Sequence, residues 1–581
     1  MFRTQRATAS LIRALFIGAA VPAMALSAAT MVGCQDESQP EYWVEKLNDA
    51  AWRARAVKQL DQFYEDAVTR NQGSPGGDSP ELKALVDKIV TPLTNTYVEQ
   101  GDNLDDKSKQ RLIKLLAAMR DPRTEPALTK AIADFAQKGR GGEELKWAAR
   151  AAVDMKMTGT ADELIGAFNK LRADTEEGAA VWRDLNQAML DMADKSWTPK
   201  LIETLDHPLE LPQQGEQNKE KITEFRNQQF WQTTAAQLLG VIGDPAAVDP
   251  LLKVLLDPAK ANLHADAVIS LVKLGKPAVA RATQLLGGED KALVEFASQR
   301  ARKAAGSPLP SSDAPHVGTA AIVLGTIGHA SAAPALIGAL GKPQTESNQA
   351  VLLRELAKLP ASSETEQAFK AGFERLAPDA VIPPGQPALQ VLSESATSFF
   401  EPALVPWLLT EAAGVKDDED TRSALLVAAI KLMVPEQVAS VGAAVDKYGT
   451  ELEKAVFGEA SKLVKSCGKE PSCYMAAATK SANQDDKSQF VGIKAAYMLG
   501  VFGDEKVRDQ LVASVDPISN AAVRFTAAKV IDHLSPRGSA RAADELQKLV
   551  DANIKRGDRD KMAGDAPLKQ VIYRLRSRAQ G

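Results

Sequence analysis

The sequence predicts an all-α protein, an α-solenoid built from stacked helical hairpins. Three observations lead there. A chain of 581 residues exceeds what one hydrophobic core supports, because single cores stop growing near roughly 250–300 residues. Apolar residues recur at helical spacing in hairpin-length blocks punctuated by Gly, Asp and Pro, the pattern of amphipathic helices joined by tight turns. Ala and Leu dominate while aromatics make up only 5%, which suits close helix packing better than a sheet core. Hydrophobic and charged fractions of 45% and 25% are those of ordinary folded domains.

The first element, residues 1–33, reads as an export signal. Arg3, Arg6 and Arg13 form a basic start, and residues 14–33 are an uncharged run with Pro22 inside it. Basic, then apolar, then small is the secretory order. The run ends Met31-Val32-Gly33-Cys34, which resembles the lipobox of bacterial lipoproteins, with Met31 standing where that motif usually has Leu. The resemblance implies cleavage before Cys34 and lipidation of its side chain. Gln35 is not the Asp that retains such proteins at the inner membrane, so the outer membrane, facing the periplasm, is the expected address. Two other fates stay open: an uncleaved anchor, since twenty apolar residues can span a bilayer, or ordinary cleavage after Ala23 or Ala25. One acyl chain binds a bilayer marginally, at about 0.8 kcal/mol per buried CH₂, whereas several bind stably.

Residues 34–40 form a tether, and helical hairpins fill the rest. The clearest spans 235–257. Ala235, Leu238, Leu239 and Ile242 make one helical stripe, Gly243-Asp244-Pro245 turns the chain, and Val248, Leu251, Leu252 and Leu255 make a second stripe. Asp249 is expected to cap that second helix, with Pro250 at its first position, where a missing N–H costs nothing. The first stripe returns at Ala320, Val323, Leu324 and Ile327, at Ala495, Met498, Leu499 and Phe502, and at Ala527, Val530, Ile531 and Leu534. Weaker copies include Leu271, Leu274, Gly275 and Pro277. Pro126, Pro199, Pro334 and Pro406 each follow the same helix-starting pattern. The Ala-Ala-x-x-Leu-Gly-x-Ile-Gly-Asp-Pro hairpin resembles the HEAT repeat, in the bacterial form shared with phycobilisome-lyase-type proteins. The resemblance implies an armadillo-like superhelix, because each hairpin exposes an apolar face that only a neighbour can cover.

Pro, Gly and Ser gather at 71–80, 304–315 and 377–387. The middle cluster suggests a linker at 307–314 between two solenoid blocks, 41–306 and 315–581. Residues 211–221 read as a polar surface loop. Cys467 and Cys473 are the two cysteines left once Cys34 is set aside, and an oxidising compartment favours a disulfide between them. So short a loop would stabilise by about 2 kcal/mol. The last element carries Leu568, Val571, Ile572 and Leu575 on one stripe, with Lys569, Arg574, Arg576 and Arg578 around it. It is expected to be a polar-backed capping helix, with a basic patch for an anionic envelope polymer as the alternative.

No catalytic residue is expected. His207, His264, His316, His329 and His533 fall in separate segments, and none precedes Glu, so the paired His-Glu ligands of HEAT-type di-iron hydroxylases are missing. Gly338-Ala-Leu-Gly341-Lys342 brushes a phosphate loop, but Pro343 replaces its hydroxyl residue. Asp417-Asp-Glu-Asp420 precedes an apolar run at 424–433 and suits a helix N-terminus. A net charge of −5, more negative once the basic leader is removed, argues against nucleic acid. No metal and no small-molecule cofactor is expected. Trp43, Trp52, Trp147, Trp182, Trp197 and Trp231 are read as core packing. The function expected is a non-enzymatic, membrane-anchored scaffold for a protein partner. The alternatives are an enzyme or subunit with its site in 211–221 or 377–387, and polymer binding through the C-terminal helix.

Overall fold

The computed structural model describes residues 36–71, 79–172, 176–210, 212, 218–306, 314–480, 486–518, 520–557, 562 and 565–580. The leader with Cys34, the linker residues 307–313 and most of the 211–217 stretch lie outside them. Helix accounts for nearly all regular structure among the described residues, apart from a ribbon pairing Val381–Ile382 with Gln386–Pro387. None of these helices is long and apolar enough to cross a membrane.

The chain divides into two compact units, Met1–Met119 and Arg120–Gly581. The first holds helices Pro40–Lys46, Arg53–Arg70, Pro80–Gln100 and Asp106–Met119. Trp43 is buried there, the Arg53 guanidinium donates to the Leu47 carbonyl at 2.8 Å, and the Tyr64 hydroxyl donates to the Ala118 carbonyl at 2.8 Å.

The second unit is the repeat array. Helices pack on the next but one along the chain: Lys219–Ile242 on His264–Leu274, Pro315–Ile327 on Glu346–Leu356, and Asp486–Phe502 on Ala521–His533. Stacking buries the stripes. Ala235, Leu238, Leu239, Ala320, Val323, Leu324, Ile327, Ala495, Met498, Leu499, Ala527, Val530 and Ile531 are all buried, while Ile242 and Phe502, at the helix ends, are half-buried. The glycine in the Leu239-Gly240 and Leu324-Gly325 pairs is where the next hairpin crosses. A Cβ on Gly240 would lie 2.7 Å from Ser270 Cα, and one on Gly325 would lie 2.6 Å from Glu355 Cβ. Helix packing at that distance leaves no room for a side chain. Helices Lys276–Gly287 and Pro315–Ile327, on either side of residues 307–313 in sequence, also pack together.

A shared turn joins the hairpin helices. A residue with positive φ is followed by an acid or His, whose side chain accepts a backbone N–H two residues on, and the chain then makes one 3₁₀ turn. The left-handed residues are Arg120, Gly243, Gly328 and Phe400. The caps are Asp121 to Arg123 N at 2.9 Å, Asp244 to Ala246 N at 3.1 Å, His329 to Ser331 N at 3.2 Å, and Glu401 to Ala403 N at 3.2 Å. This corrects the expected cap at Asp249. Because the 3₁₀ turn Pro245–Ala247 leads into the helix, the capping carboxylate is Asp244, and Asp249 instead pairs with Arg281 of the next repeat at 2.6 Å. Other local readings agree with the structure. Asp418 caps helix Glu419–Leu432 through Thr421 N at 2.9 Å, and Gly341 ends helix Ala333–Leu340.

The C-terminal helix Ala566–Ala579 differs from its sequence reading. It packs on its neighbours Ala521–His533 and Ala540–Arg556, and also on His264–Leu274, far earlier in the chain. Leu568, Ile572 and Leu575 are fully buried, and so, nearly, are Arg574 and Arg578. The helix is therefore tied to an earlier repeat, and its polar back is formed by Lys569, Gln570 and half-buried Arg576 and not by Arg574 and Arg578. Asp532 pairs with both buried arginines, while Ala566, Lys569 and Gln570 stay exposed on the helix's other face. Its entry is held by a buried pair: Arg524 Nε lies 2.9 Å from Asp565 Oδ1, and Asn553 Nδ2 donates to Asp565 Oδ2 at 2.9 Å.

Candidate functional site

Two clefts lie against this C-terminal helix, both inside the second unit. The first, about 220 Å³, is bounded by the chain after helix Glu346–Leu356, by Phe400, by helix Ala521–His533 and by the C-terminal helix. Lys358, Lys529, Arg574 and Arg578 bring positive charge to its walls, against the single carboxylate of Asp532.

Each group is held in place by local sequence. Arg574 and Arg578 stand one helical turn apart, so both reach Asp532. Arg574 Nη2 lies 2.9 Å from Asp532 Oδ2 and also donates to the Lys358 carbonyl at 2.9 Å, while Arg578 Nη2 pairs with Asp532 Oδ1. The Nε–H groups of both arginines are buried with no acceptor among the described residues. Burial pushes the Arg574 pKa down, with Asp532 opposing. Lys529 sits one turn before His533, its ammonium 5.0 Å above the Phe525 ring and 3.7 Å from Glu394 Oε1. Burial lowers its pKa too, opposed by Glu394. Glu394 feels burial pushing it upward, but Lys431 and Lys529 more than offset this and hold it ionised. Lys358 pairs with Glu355 at 2.6 Å, and Glu355 also receives Arg354 at 2.8 Å.

Phe400 is the informative wall residue. It occupies the left-handed position that Gly243 and Gly328 fill in other repeats, a conformation that costs a bulky residue of order 1–2 kcal/mol. The strain places its ring 4.5 Å from the His533 ring and 5.4 Å from Tyr497. Burial drives the His533 pKa down to about 4, so this imidazole is neutral at physiological pH. Behind it, Lys494 is fully buried and donates to the carbonyls of Lys431 and Met433 at 2.9 and 2.5 Å, closing the end of helix Glu419–Leu432. Burial pushes its pKa well below the usual lysine value.

The second cleft is larger, about 730 Å³, and mainly apolar, with Leu255, Val268, Ile269, Val272 and Ile322 on its walls. Four of its polar groups are engaged in pairs. Gln237 donates to Asp266 at 2.8 Å, and Lys273 lies 4.6 Å above the Tyr573 ring. Burial lowers Lys273 and raises Tyr573.

The PBS lyase HEAT-like repeat family matches residues 231–257, the hairpin whose Gly243-Asp244-Pro245 turn sets the pattern for the array. The chain carries a HEAT-like repeat at these residues. No curated protein matches it. Among solved structures, a circular tandem repeat protein with novel repeat topology and enhanced subunit contact surfaces shares 10% identity over 94% of this chain and 95% of its own, with a TM-score of 0.10. A likeness at that score bears no structural weight.

The residues singled out from sequence scatter across the repeat array. His533 lines the cationic cleft and His264 the apolar one, whereas His207, His316 and His329 line neither. Among the described residues no three His, Cys, Asp or Glu side chains gather as metal ligands. Cys467 and Cys473 are disulfide-bonded with Cα atoms 5.4 Å apart, tying the end of helix Glu451–Cys467 to helix Pro471–Lys480. Neither cleft draws a residue from 211–221 or 377–387. Trp43, Trp197 and Trp231 are buried, while Trp52, Trp147 and Trp182 are half-buried. Sequence reasoning missed Lys529, Asp532 and Phe400. Phe400-Glu401-Pro402 sits where the clearest repeat reads Gly243-Asp244-Pro245, and that departure was the available signal.

Proposed function

We propose that this protein is a non-enzymatic recognition scaffold of the bacterial envelope. It is exported, anchored through lipid on Cys34, and faces the periplasm from the outer membrane, where its HEAT-like array binds a protein partner. The observation that carries the binding reading is the mouth of the cationic cleft. Phe525 is 46% exposed there, beside Lys529 and Lys358, whereas most other large apolar side chains among the described residues are covered. An exposed aromatic flanked by cations held in fixed geometry is the composition of a binding hot spot. The groups around it are tied to one another by ion pairs, an arrangement suited to recognition more than to proton transfer.

A photo-reactive residue at position 525, in protein expressed in its native envelope, tests this reading. The expected result is one discrete protein adduct that excess unlabelled chain competes away, on protein whose mature N-terminus is an acylated Cys34. Absence of any competable adduct at 525 would remove the scaffold reading. An unmodified or uncut N-terminus would remove the lipid anchor alone.

A further inference from the structure

We infer that the cationic cleft under the C-terminal helix is a binding site for a carboxylate-bearing ligand. The inference deepens the recognition reading by naming the site and the chemistry it takes.

The argument starts from charge. Lys358, Lys529, Arg574 and Arg578 line the cleft, and their ion-pair network also includes Arg354 and Lys431. These six cations share three carboxylates, Asp532, Glu355 and Glu394. Positive charge in surplus inside a half-enclosed site is costly unless an anion compensates it. His533 adds none, because burial keeps it neutral at physiological pH. Geometry points the same way. Asp532 takes the Nη2 groups of Arg574 and Arg578 and their Nε–H groups are buried, so the ammonium groups of Lys358 and Lys529, which stay partly exposed, are the donors the cleft presents to an oxyanion.

The walls then select the kind of anion. Leu359, Val571, Phe400 and Phe525 stand among the cations. They favour an anion carried on a carbon skeleton over a strongly hydrated inorganic one, since apolar walls cannot replace its lost water. A volume of about 220 Å³ admits a short acid or one to two acidic side chains, and excludes a folded surface. The Gly-to-Phe departure at position 400 supports a built site, because strain retained in a packed fold concentrates where a side chain must be held in place.

The test is calorimetric titration of the full mature chain at low salt with three probes: glutarate, an amidated tetraglutamate peptide, and inorganic phosphate. The expected result is saturable one-to-one binding of glutarate, the peptide or both. It should weaken at least tenfold in Lys358→Gln/Lys529→Gln and stay unchanged in Lys569→Gln, which alters only the other cleft. Circular dichroism and the thermal midpoint of each variant establish that the fold is kept. Binding of glutarate identifies a free small acid as the ligand, and binding of the peptide alone identifies an acidic segment of a partner. Binding of phosphate alone overturns the carboxylate assignment. No saturable binding, or equal binding by the double variant, overturns the site. Photo-adduct formation at Phe525 that survives any of those failures would leave the scaffold reading standing.

Discussion

His533 packs its ring on Phe400, and the groups facing it are Asp532, Lys529, Arg574 and Arg578. Its folded pKa of about 4 lies below the ordinary 6.5 because burial disfavours the imidazolium. The unfolded chain therefore binds the extra proton first as pH falls. The neutral ring's contribution is fully present above pH 6.5 and is lost progressively between 6.5 and 4, a difference of roughly 3 kcal/mol. His533→Leu should flatten that acid limb in urea titrations run from pH 7 to 4, and an unchanged slope would show that other groups set it. The Arg524–Asp565 pair lies at 0% and 1% exposure, so removing one partner strands a buried charge. Asp565→Ala should cost about 3–5 kcal/mol, read as a lowered denaturation midpoint. A loss under 1 kcal/mol would mean that the carbonyls of Val515 and Ile518, which Arg524 also reaches at 2.7 and 3.0 Å, suffice to hold it.

At the scale of the element, the repeat is defined by two devices. One is the left-handed residue with its capping acid. Asp244→Ala should destabilise by about 1 kcal/mol through loss of the bond to Ala246 N. The other is the Leu-Gly crossing. Gly325→Ala forces backbone apart where Glu355 Cβ and O would meet the new methyl at 2.6 and 2.8 Å. Overpacking of this kind costs about 1–3 kcal/mol and outweighs the gain in helix propensity of roughly 1 kcal/mol. A stabilised Gly325→Ala protein would mean that the crossing is looser than the structure has it. The turn was legible as Gly243-Asp244-Pro245, because it depends on neighbours only a few residues away, whereas the crossing was not, since Gly325 meets Glu355 of the next hairpin. The assignment of the cap was missed by five positions, since Asp244 and Asp249 both precede apolar runs and only the intervening 3₁₀ turn distinguishes them.

Across the second unit, the C-terminal helix decides what the clefts are. Truncation after Asp565 should remove one wall of both clefts together with Leu568, Val571, Ile572 and Leu575, baring the apolar surfaces those side chains cover. Hydrogen exchange should then quicken in His264–Leu274 as well as in Ala521–His533 and Ala540–Arg556, because the helix packs on all three. Faster exchange confined to the last two would restore the terminal-cap reading. The sequence of this helix could not distinguish a cap from a tie: four basic residues around an apolar stripe describe either, and the difference rests on Asp532, which lies outside the helix.

Sequence alone determined the all-α repeat fold, the hairpin unit and which side chains form its buried stripes. These follow from short-range rules of helical period, glycine conformation and capping, all of which act within a few residues. The placement of the C-terminal helix against His264–Leu274, the burial of Arg574 and Arg578, and the gathering of Lys358, Phe400 and Lys529 around one cleft were decided by tertiary structure. Those groups come from four segments of the chain, and no local periodicity records which distant hairpins a stacked array brings together. Electrostatic surplus is a property of such a gathering. A chain that is net acidic overall can therefore still build a cationic site.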